Sequence, residues 1–155
     1  MTPEAFYSRL AADNRRVPGT HLLESGLGTV DLDWWQKQHP KTNLPDDFIA
    51  LLRLHNGFCL HPDEHTPMGA IRLLPIREID SASRRLYGKR RCESIPNSWL
   101  AITDHPDSAR YLILDTSTGC YLDVSPIVPD EAEVVAKNVG EMLDWVNGVV
   151  QQWNG

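Results

Sequence analysis

The chain has 155 residues, of which 41% are hydrophobic and 23% charged, and its formal net charge is −6. This length is typical of one domain with a core large enough to fold without disulfides or metals. The composition is that of an ordinary globular protein, the acidic balance argues against general nucleic-acid binding, and no apolar run approaches the length of a membrane span. We therefore expect one domain, residues 1–155.

Three helices are predicted in the first 57 residues. Glu4–Leu10 is a short first helix, which Val17-Pro18-Gly19 ends because proline and glycine interrupt a helix. Asp31–His39 is a second helix, stopped by Pro40. Asn43–Gly57 is the third, and it is the best specified of the three.

The segment Asn43–Gly57 carries both its start and its stop. Pro45 suits the first helical position, and Asp46-Asp47 puts negative charge at the positive end of the helix dipole. The predicted inward stripe is Phe48, Leu51, Leu52 and His55. Asn56-Gly57 is predicted to close the helix, because either residue adopts the left-handed conformation that a C-cap favours.

The second half of the chain favours strands and a closing helix. The predicted elements are a strand at Gly69–Leu74, a helix at Ile76–Tyr87, a strand at Ser98–Thr103, strands at Arg110–Asp115 and Cys120–Ser125, and a helix from Val139. The glycine-containing connector between the last two strands predicts an antiparallel hairpin. Asn138 and Glu141 form a capping pattern for the final helix. Helices followed mostly by strands indicate an α+β fold.

The N-terminus and the cysteines both favour a cytoplasmic protein. Met1–Arg16 lacks the parts of a signal peptide. Cys59, Cys92 and Cys120 are odd in number and widely spaced, which is typical of free thiols in a reducing compartment. A catalytic thiol stays open, since its partners need only be close in space.

Two groups of residues raise the possibility of a metal or phosphate site. Potential zinc ligands crowd residues 55–65, namely His55, Cys59, His61, Asp63, Glu64 and His65. Their spacing matches no zinc finger, so we expect a polar loop, although metal binding there stays open. The basic run, Arg84, Arg85, Lys89, Arg90 and Arg91, is interpreted as a solvated helix end followed by a loop rather than a phosphate or RNA site.

Catalytic patterns are absent from the sequence. Asp104, His105, Asp107 and Asp115 are conceivable acid/base partners, but Asp104–Ser108 has the composition of a turn. There is no G-x-S-x-G, no P-loop and no dinucleotide fingerprint. We expect no catalytic residue and no cofactor. Trp34 and Trp35 cannot both point inward from one helix, so one of them is a candidate interface anchor, while Trp99 is expected in the core.

These residues resemble the SUKH superfamily, the Smi/Knr-like proteins, over roughly residues 31–150. The matching segments are Leu44-Pro45-x-x-Phe48-x-x-Leu51-Leu52 with Asn56-Gly57, Ile76-x-x-Ile79, Ser98-Trp99-Leu100-Ala101-Ile102, Asp115 with Gly119, and Met142-Leu143-x-x-Val146. The resemblance implies a SUKH-like single α+β domain, with an antiparallel-rich sheet packed with N-terminal helices and a C-terminal helix. Phe58, where a further glycine is frequent, and the histidine-rich loop depart from the family pattern.

The resemblance implies a binding function rather than catalysis. Many bacterial members look like immunity proteins that occlude a co-encoded toxin, often a nuclease or deaminase, and fungal members look like regulators of cell-wall synthesis. The leading hypothesis is an immunity protein with a basic toxin partner. The candidate contacts are Asp63, Glu64, Asp104 and Asp107. The alternatives are an intracellular regulatory or scaffolding protein and, more weakly, a small hydrolase that uses Asp104 and His105.

Overall fold

The computed structural model describes residues 1–62, 71–88, 95–103, 111–125 and 131–153. These residues contain five α-helices: α1 (Pro3–Arg16), α2 (Thr29–Gln38), α3 (Asp46–Leu54), α4 (Ile79–Tyr87) and α5 (Val139–Trp153). They also contain seven strands: β1 (His21–Leu23), β2 (Phe58–Leu60), β3 (Ile71–Leu73), β4 (Trp99–Ala101), β5 (Tyr111–Asp115), β6 (Cys120–Val124) and β7 (Ala132–Ala136). The predicted α+β class is confirmed. Among the described residues, no helix combines the length and apolar character needed to cross a bilayer.

The strands form two antiparallel sheets, in the orders β1-β2-β3 and β4-β5-β6-β7. A bridge between Leu73 and Thr103 connects the end of β3 to the chain just after β4. The Leu74 N–H donates to the Ile102 carbonyl at 2.9 Å and strengthens this connection. The two sheets are therefore joined through backbone hydrogen bonds at one point.

The predicted hairpin is confirmed as β5 and β6, with Asp115 opposite Cys120 at the turn. Gly119 has a φ of +76°, which a glycine adopts without steric cost, and its N–H donates to the Asp115 carbonyl at 2.8 Å. Strands β1, β2 and β7 were not predicted. The first two have only three residues each, and β7 exposes most of its side chains, so none shows a readable alternation.

Helix α1 is longer than the predicted Glu4–Leu10. Its buried side chains, Phe6, Tyr7 and Leu10, all lie before residue 11, so apolar periodicity reports only that part of the helix. The Thr2 hydroxyl accepts from the Ala5 N–H at 3.1 Å and caps the start. The helix ends at Arg16 and Val17 is its extended C-cap residue, as the Val17-Pro18-Gly19 signal predicts.

Helix α3 is shorter than predicted at both ends. It begins at Asp46, and Pro45 precedes it with a ψ of 141°, outside the helix. It ends at Leu54, because His55 is extended, with φ −147° and ψ 123°. The predicted core members Phe48, Leu51 and Leu52 are buried as expected, but His55 is not part of the helical stripe.

The prediction that Asn56-Gly57 caps α3 is wrong, since these residues join distant parts of the chain. The Asn56 N–H donates to the Ser25 carbonyl at 2.8 Å, and its side-chain oxygen accepts from the Ile76 N–H at 3.0 Å. Gly57 has a φ of +105°, and a Cβ there would lie 2.7 Å from the Leu73 carbonyl oxygen. This pair therefore fixes the segment between α3 and β2 against β3.

Helices α4 and α5 cover the second sheet through buried faces and specific hydrogen bonds. The Ser83 hydroxyl donates to the Ile79 carbonyl at 2.8 Å and accepts from the Ala101 N–H at 2.9 Å, which ties α4 to β4. The predicted inward residues of this segment, Ile76, Ile79, Ser83, Leu86 and Tyr87, are all buried. A 3₁₀ turn, Ile76–Glu78, precedes α4, so the α-helix begins three residues later than predicted.

The predicted capping of α5 is confirmed. The Asn138 side chain accepts from the Glu141 N–H at 2.9 Å, and the Glu141 carboxylate accepts from the Lys137 N–H at 3.0 Å. The Asp47 carboxylate, at the start of α3, accepts from the Val139 N–H at 2.9 Å. The N-termini of α3 and α5 are thus held together by one side chain.

Candidate protein-interaction surface

The four predicted partner contacts, Asp63, Glu64, Asp104 and Asp107, lie outside the described residues. His65, His105 and Cys92 also lie there, as do Lys89, Arg90 and Arg91 of the basic run. The contact assignment therefore stays a prediction. Within the described part of the chain, the histidines are candidates for a metal or catalytic site, and the tryptophans are candidates for contacts with a partner protein.

The described residues of the histidine-rich loop point to different partners. The His55 Nδ1 contacts the Glu24 carbonyl at 2.7 Å, and its ring packs on Tyr7 with centroids 4.4 Å apart. His61 instead packs edge-on against His21, with centroids 4.5 Å apart. Within the described ranges, no group of three histidine, cysteine or acidic side chains is arranged to hold a metal ion.

His21 is the most buried histidine that the structure describes, with 4% of its surface exposed. Its Nδ1 accepts from the His61 N–H at 3.4 Å, so its Nε2 carries the proton and donates to the Asp13 carboxylate at 2.9 Å. A histidine–aspartate pair is the arrangement of a general base. Here, however, both ring nitrogens already have partners and the ring is shielded, so the pair serves the structure.

Burial lowers the pKa of His21 below its usual value, and the hydrogen bond with Asp13 only partly offsets this effect. Below about pH 6.5 the unfolded chain takes up a proton that the folded chain does not, so stability falls as the pH falls. We expect the melting temperature to drop between about pH 7 and pH 5, and to drop less in His21→Gln. Thermal unfolding across this range is the measurement. Identical slopes in both proteins would contradict the assignment.

Asp115 is explained by the turn between β5 and β6. Its carboxylate accepts from the N–H and hydroxyl of Ser117, at 3.0 and 2.6 Å. Partial burial tends to raise the pKa of this carboxyl, but the hydrogen bonds outweigh burial and hold the pKa below its usual value. These contacts make Asp115 an anchor of the turn rather than a catalytic acid.

The two adjacent tryptophans of α2 point in different directions, as predicted. Trp35 is 1% exposed, and its ring stacks on His39 with centroids 3.7 Å apart. The His39 Nε2 contacts the Asp80 carboxylate at 2.9 Å, which holds this stack against α4. Trp34 is only half-buried at the edge of the core, and Trp99 is half-buried too rather than fully inside it.

Trp34 belongs to a small surface that we call the α2 face, made of Val30, Asp31, Asp33, Trp34 and Arg77. Val30 is 77% exposed, the largest exposed fraction among the large hydrophobic side chains described. It lies one helical turn before Trp34, on the same side of α2. The Arg77 guanidinium lies 4.7 Å from the centre of the Trp34 ring. The Asp31 carboxylate in turn accepts from the Arg77 Nε–H at 2.6 Å.

This arrangement suits the binding of another protein. Tryptophan and arginine are the residues most enriched among interface positions that dominate binding energy. Because Asp31 holds Arg77 and Arg77 lies over the Trp34 ring, less side-chain freedom is lost on binding. The sequence identified the tryptophan pair, and the four-residue spacing of Val30 and Trp34 could also have placed these two side chains on one side of the helix. The sequence could not identify Arg77 as part of this surface, since it lies 46 positions from its partner Asp31.

The model of the SMI1 / KNR4 family (SUKH-1) matches residues 26–145. This range includes the α2 face and both sheets except β1. No curated protein matches the chain.

Proposed function

The chain belongs to the SMI1/KNR4 family (SUKH-1), whose model matches most of its length, and on this premise we propose a non-enzymatic protein-binding domain that neutralises a cognate bacterial toxin. The toxin is of the nuclease or deaminase type, and the domain acts by covering its active site. Covering an active site requires a surface of complementary shape and charge, and it requires no catalytic group on this chain.

The α2 face is the observation that carries the proposal. It combines an exposed aliphatic side chain, Val30, with an aromatic ring, Trp34, that an arginine and an aspartate hold in place. An apolar centre with charged residues around it is the usual anatomy of a protein interface. Asp33 is exposed beside this centre, and Asp31 is already paired with Arg77, so Asp33 is the acid available to a partner.

The net charge of −6 supports a basic partner, because opposite charge speeds the encounter of two proteins. We propose that Asp63, Glu64, Asp104 and Asp107 act as rim contacts in this complex. Rim charges act mainly on the association rate and on its dependence on salt. Changing these four acids to their amides is therefore expected to slow association at low salt and to leave dissociation nearly unchanged.

The test is complex formation with the protein encoded beside this chain, measured by co-purification and by the affinity of the purified pair. We expect a stable complex that inhibits the toxin, and we expect Trp34→Ala to weaken it. A residue at the centre of an interface contributes about 2 kcal/mol or more, so the Kd is expected to rise about 30-fold or more. Absence of a complex and of growth rescue would overturn the proposal.

Two exposed valines offer a matched control for the location of the interface. Val30→Asp places a charge on the α2 face, whereas Val134→Asp places the same charge on β7, where Val134 is 54% exposed. We expect the first change to weaken the complex at least as much as Trp34→Ala and the second to have little effect. If the two changes had equal effects on the Kd, the α2 face would not be part of the interface. Co-purification with housekeeping proteins alone would favour the regulatory alternative.

A further inference from the structure

The outer side of α2, which faces away from the core, carries Val30, Trp34 and Lys37 at successive spacings of four and three residues. Val30 and Lys37 are exposed, and Trp34 is half-buried. The buried side chains of the helix, Leu32 and Trp35, lie on the opposite side. Lys37 therefore extends the α2 face by about one turn toward the end of the helix.

Asp33 and Lys37 bring two opposite charges to this side of the helix. Both are exposed, and neither forms an ion pair with any described residue. They lie one turn apart, a spacing at which an acid and a lysine often pair within a helix, but they do not pair with each other here. A molecule that binds this side of α2 can therefore satisfy both charges if it places a base near Asp33 and an acid about 6 Å farther along the helix, near Lys37.

A second copy of the chain offers this arrangement of charges. In a pair with two-fold symmetry, each contact occurs twice with the two residues exchanged. Positions 33 and 37 are equally far from position 35, so a two-fold axis at that level places Asp33 of one antiparallel helix at the same height as Lys37 of the other. Both side chains lie on one flank of the outer side, because their directions around the helix differ by about 40°. The two Trp34 rings lie on the other flank, about 3 Å apart in height.

We propose that the chain self-associates through α2, as an antiparallel pair of helices related by a two-fold axis. Asp33 of each copy binds Lys37 of the other, and the two Trp34 rings form the apolar centre. Aromatic groups at the centre with charged groups around them are the usual composition of a protein interface. The second copy covers the α2 face and competes there with the proposed toxin. Only this competition rests on the proposed function, since the self-association requires no toxin.

The size and charge of the chain set the strength of this pair. Helix α2 has 10 residues, so the interface is small and the pair is transient. The net charge of −6 on each copy opposes the association. At about 0.15 M salt, repulsion between charges more than about 8 Å apart is largely screened, whereas Asp33 and Lys37 of the two copies are in direct contact. We therefore expect a Kd of about 10 μM to 1 mM at this salt concentration.

The experiment is sedimentation equilibrium of the purified chain at increasing concentration, which measures the equilibrium between monomer and dimer. Trp34→Asp places two like charges at the centre of the pair, whereas Val134→Asp places the same charge on β7, outside it. We expect the first variant to be monomeric and the second to associate like the unchanged chain, with circular dichroism showing that both are folded. A chain that stays monomeric up to about 1 mM, or a dimer that Trp34→Asp leaves unchanged, would overturn the proposal.

An exchange of the two charges tests the antiparallel arrangement. Asp33→Lys alone and Lys37→Asp alone each place like charges against each other at both contacts, so each is expected to raise the dimer Kd about tenfold. The double variant Asp33→Lys/Lys37→Asp restores opposite charges between the copies and is expected to return the Kd to within about threefold of the original.

The double variant also separates this pairing from an effect on the helix itself. An acid near the start of α2 and a lysine near its end suit the helix dipole, and the exchange reverses both. If the charges acted only through the dipole, the double variant would associate no better than either single variant, and that result would overturn the proposal. None of these measurements involves a toxin, so failure here and failure of the proposed function are distinguishable.

Discussion

Replacing Trp35 with alanine is expected to lower the free energy of unfolding by about 3–5 kcal/mol. The side chain is 1% exposed and stacks on His39, so its removal leaves a large cavity and takes away the stacking partner of the His39 ring. For a chain of this length, 1 kcal/mol corresponds to about 2–4 °C in melting temperature. Thermal unfolding followed by circular dichroism is therefore expected to show a decrease of about 6–20 °C.

The neighbouring Trp34→Ala change is the matched control. Trp34 is half-buried, and its contact with Arg77 lies at the surface, where such an interaction contributes about 0.5–1 kcal/mol. We expect a loss of about 1–2 kcal/mol in total, including the partial burial of the ring. Comparable losses in Trp34→Ala and Trp35→Ala would contradict the orientation of α2 on which the α2 face depends.

Replacing Gly57 with alanine is expected to destabilise the protein by about 3 kcal/mol or more. Its φ of +105° is strained for any residue with a Cβ. The added Cβ would also lie 2.7 Å from the Leu73 carbonyl oxygen and 3.0 Å from the Pro75 nitrogen. Both are backbone atoms of the β3 segment, which cannot move without disturbing the junction of the two sheets. Chemical denaturation of the variant measures the effect.

Gly119→Ala separates conformational strain from steric conflict. Gly119 also has a positive φ, +76°, but a Cβ there would meet nothing within 4 Å. Only the cost of the left-handed backbone remains, about 1–2 kcal/mol. If Gly57→Ala costs no more than Gly119→Ala, the close approach of Gly57 to β3 does not contribute to stability, which would contradict the structure.

The buried face of α3 was predicted correctly from local sequence patterns, whereas the role of Asn56-Gly57 was not. The apolar spacing of Phe48, Leu51 and Leu52 predicted a buried helical face, and these side chains are fully buried. The same reasoning assigned Asn56-Gly57 to the end of that helix, because asparagine and glycine are common at C-caps. In the structure the Asn56 side chain accepts from the Ile76 N–H, 20 positions away, so no local rule pointed to its role.

The α2 face, too, could be predicted only in part from the sequence. The sequence indicated that one of two adjacent tryptophans faces outward, because neighbouring residues lie about 100° apart around a helix. It did not indicate which one, since α2 is weakly amphipathic and Leu32 is the only aliphatic residue among the buried side chains of the helix. On one side of α2, Trp35 stacks on His39, and His39 in turn contacts Asp80. On the other side, Trp34 contacts Arg77. These contacts decide the orientation of the helix.

The sequence by itself determined the α+β class, the positions of the helices and the β5–β6 hairpin, because periodicity and turn chemistry act between residues close in the chain. Only the tertiary structure decided the α2 face and the structural role of Asn56-Gly57. Each of these is made by groups far apart in sequence, such as Asp31 with Arg77 at 46 positions. Such contacts depend on how the elements pack, and a local pattern carries no information about that packing.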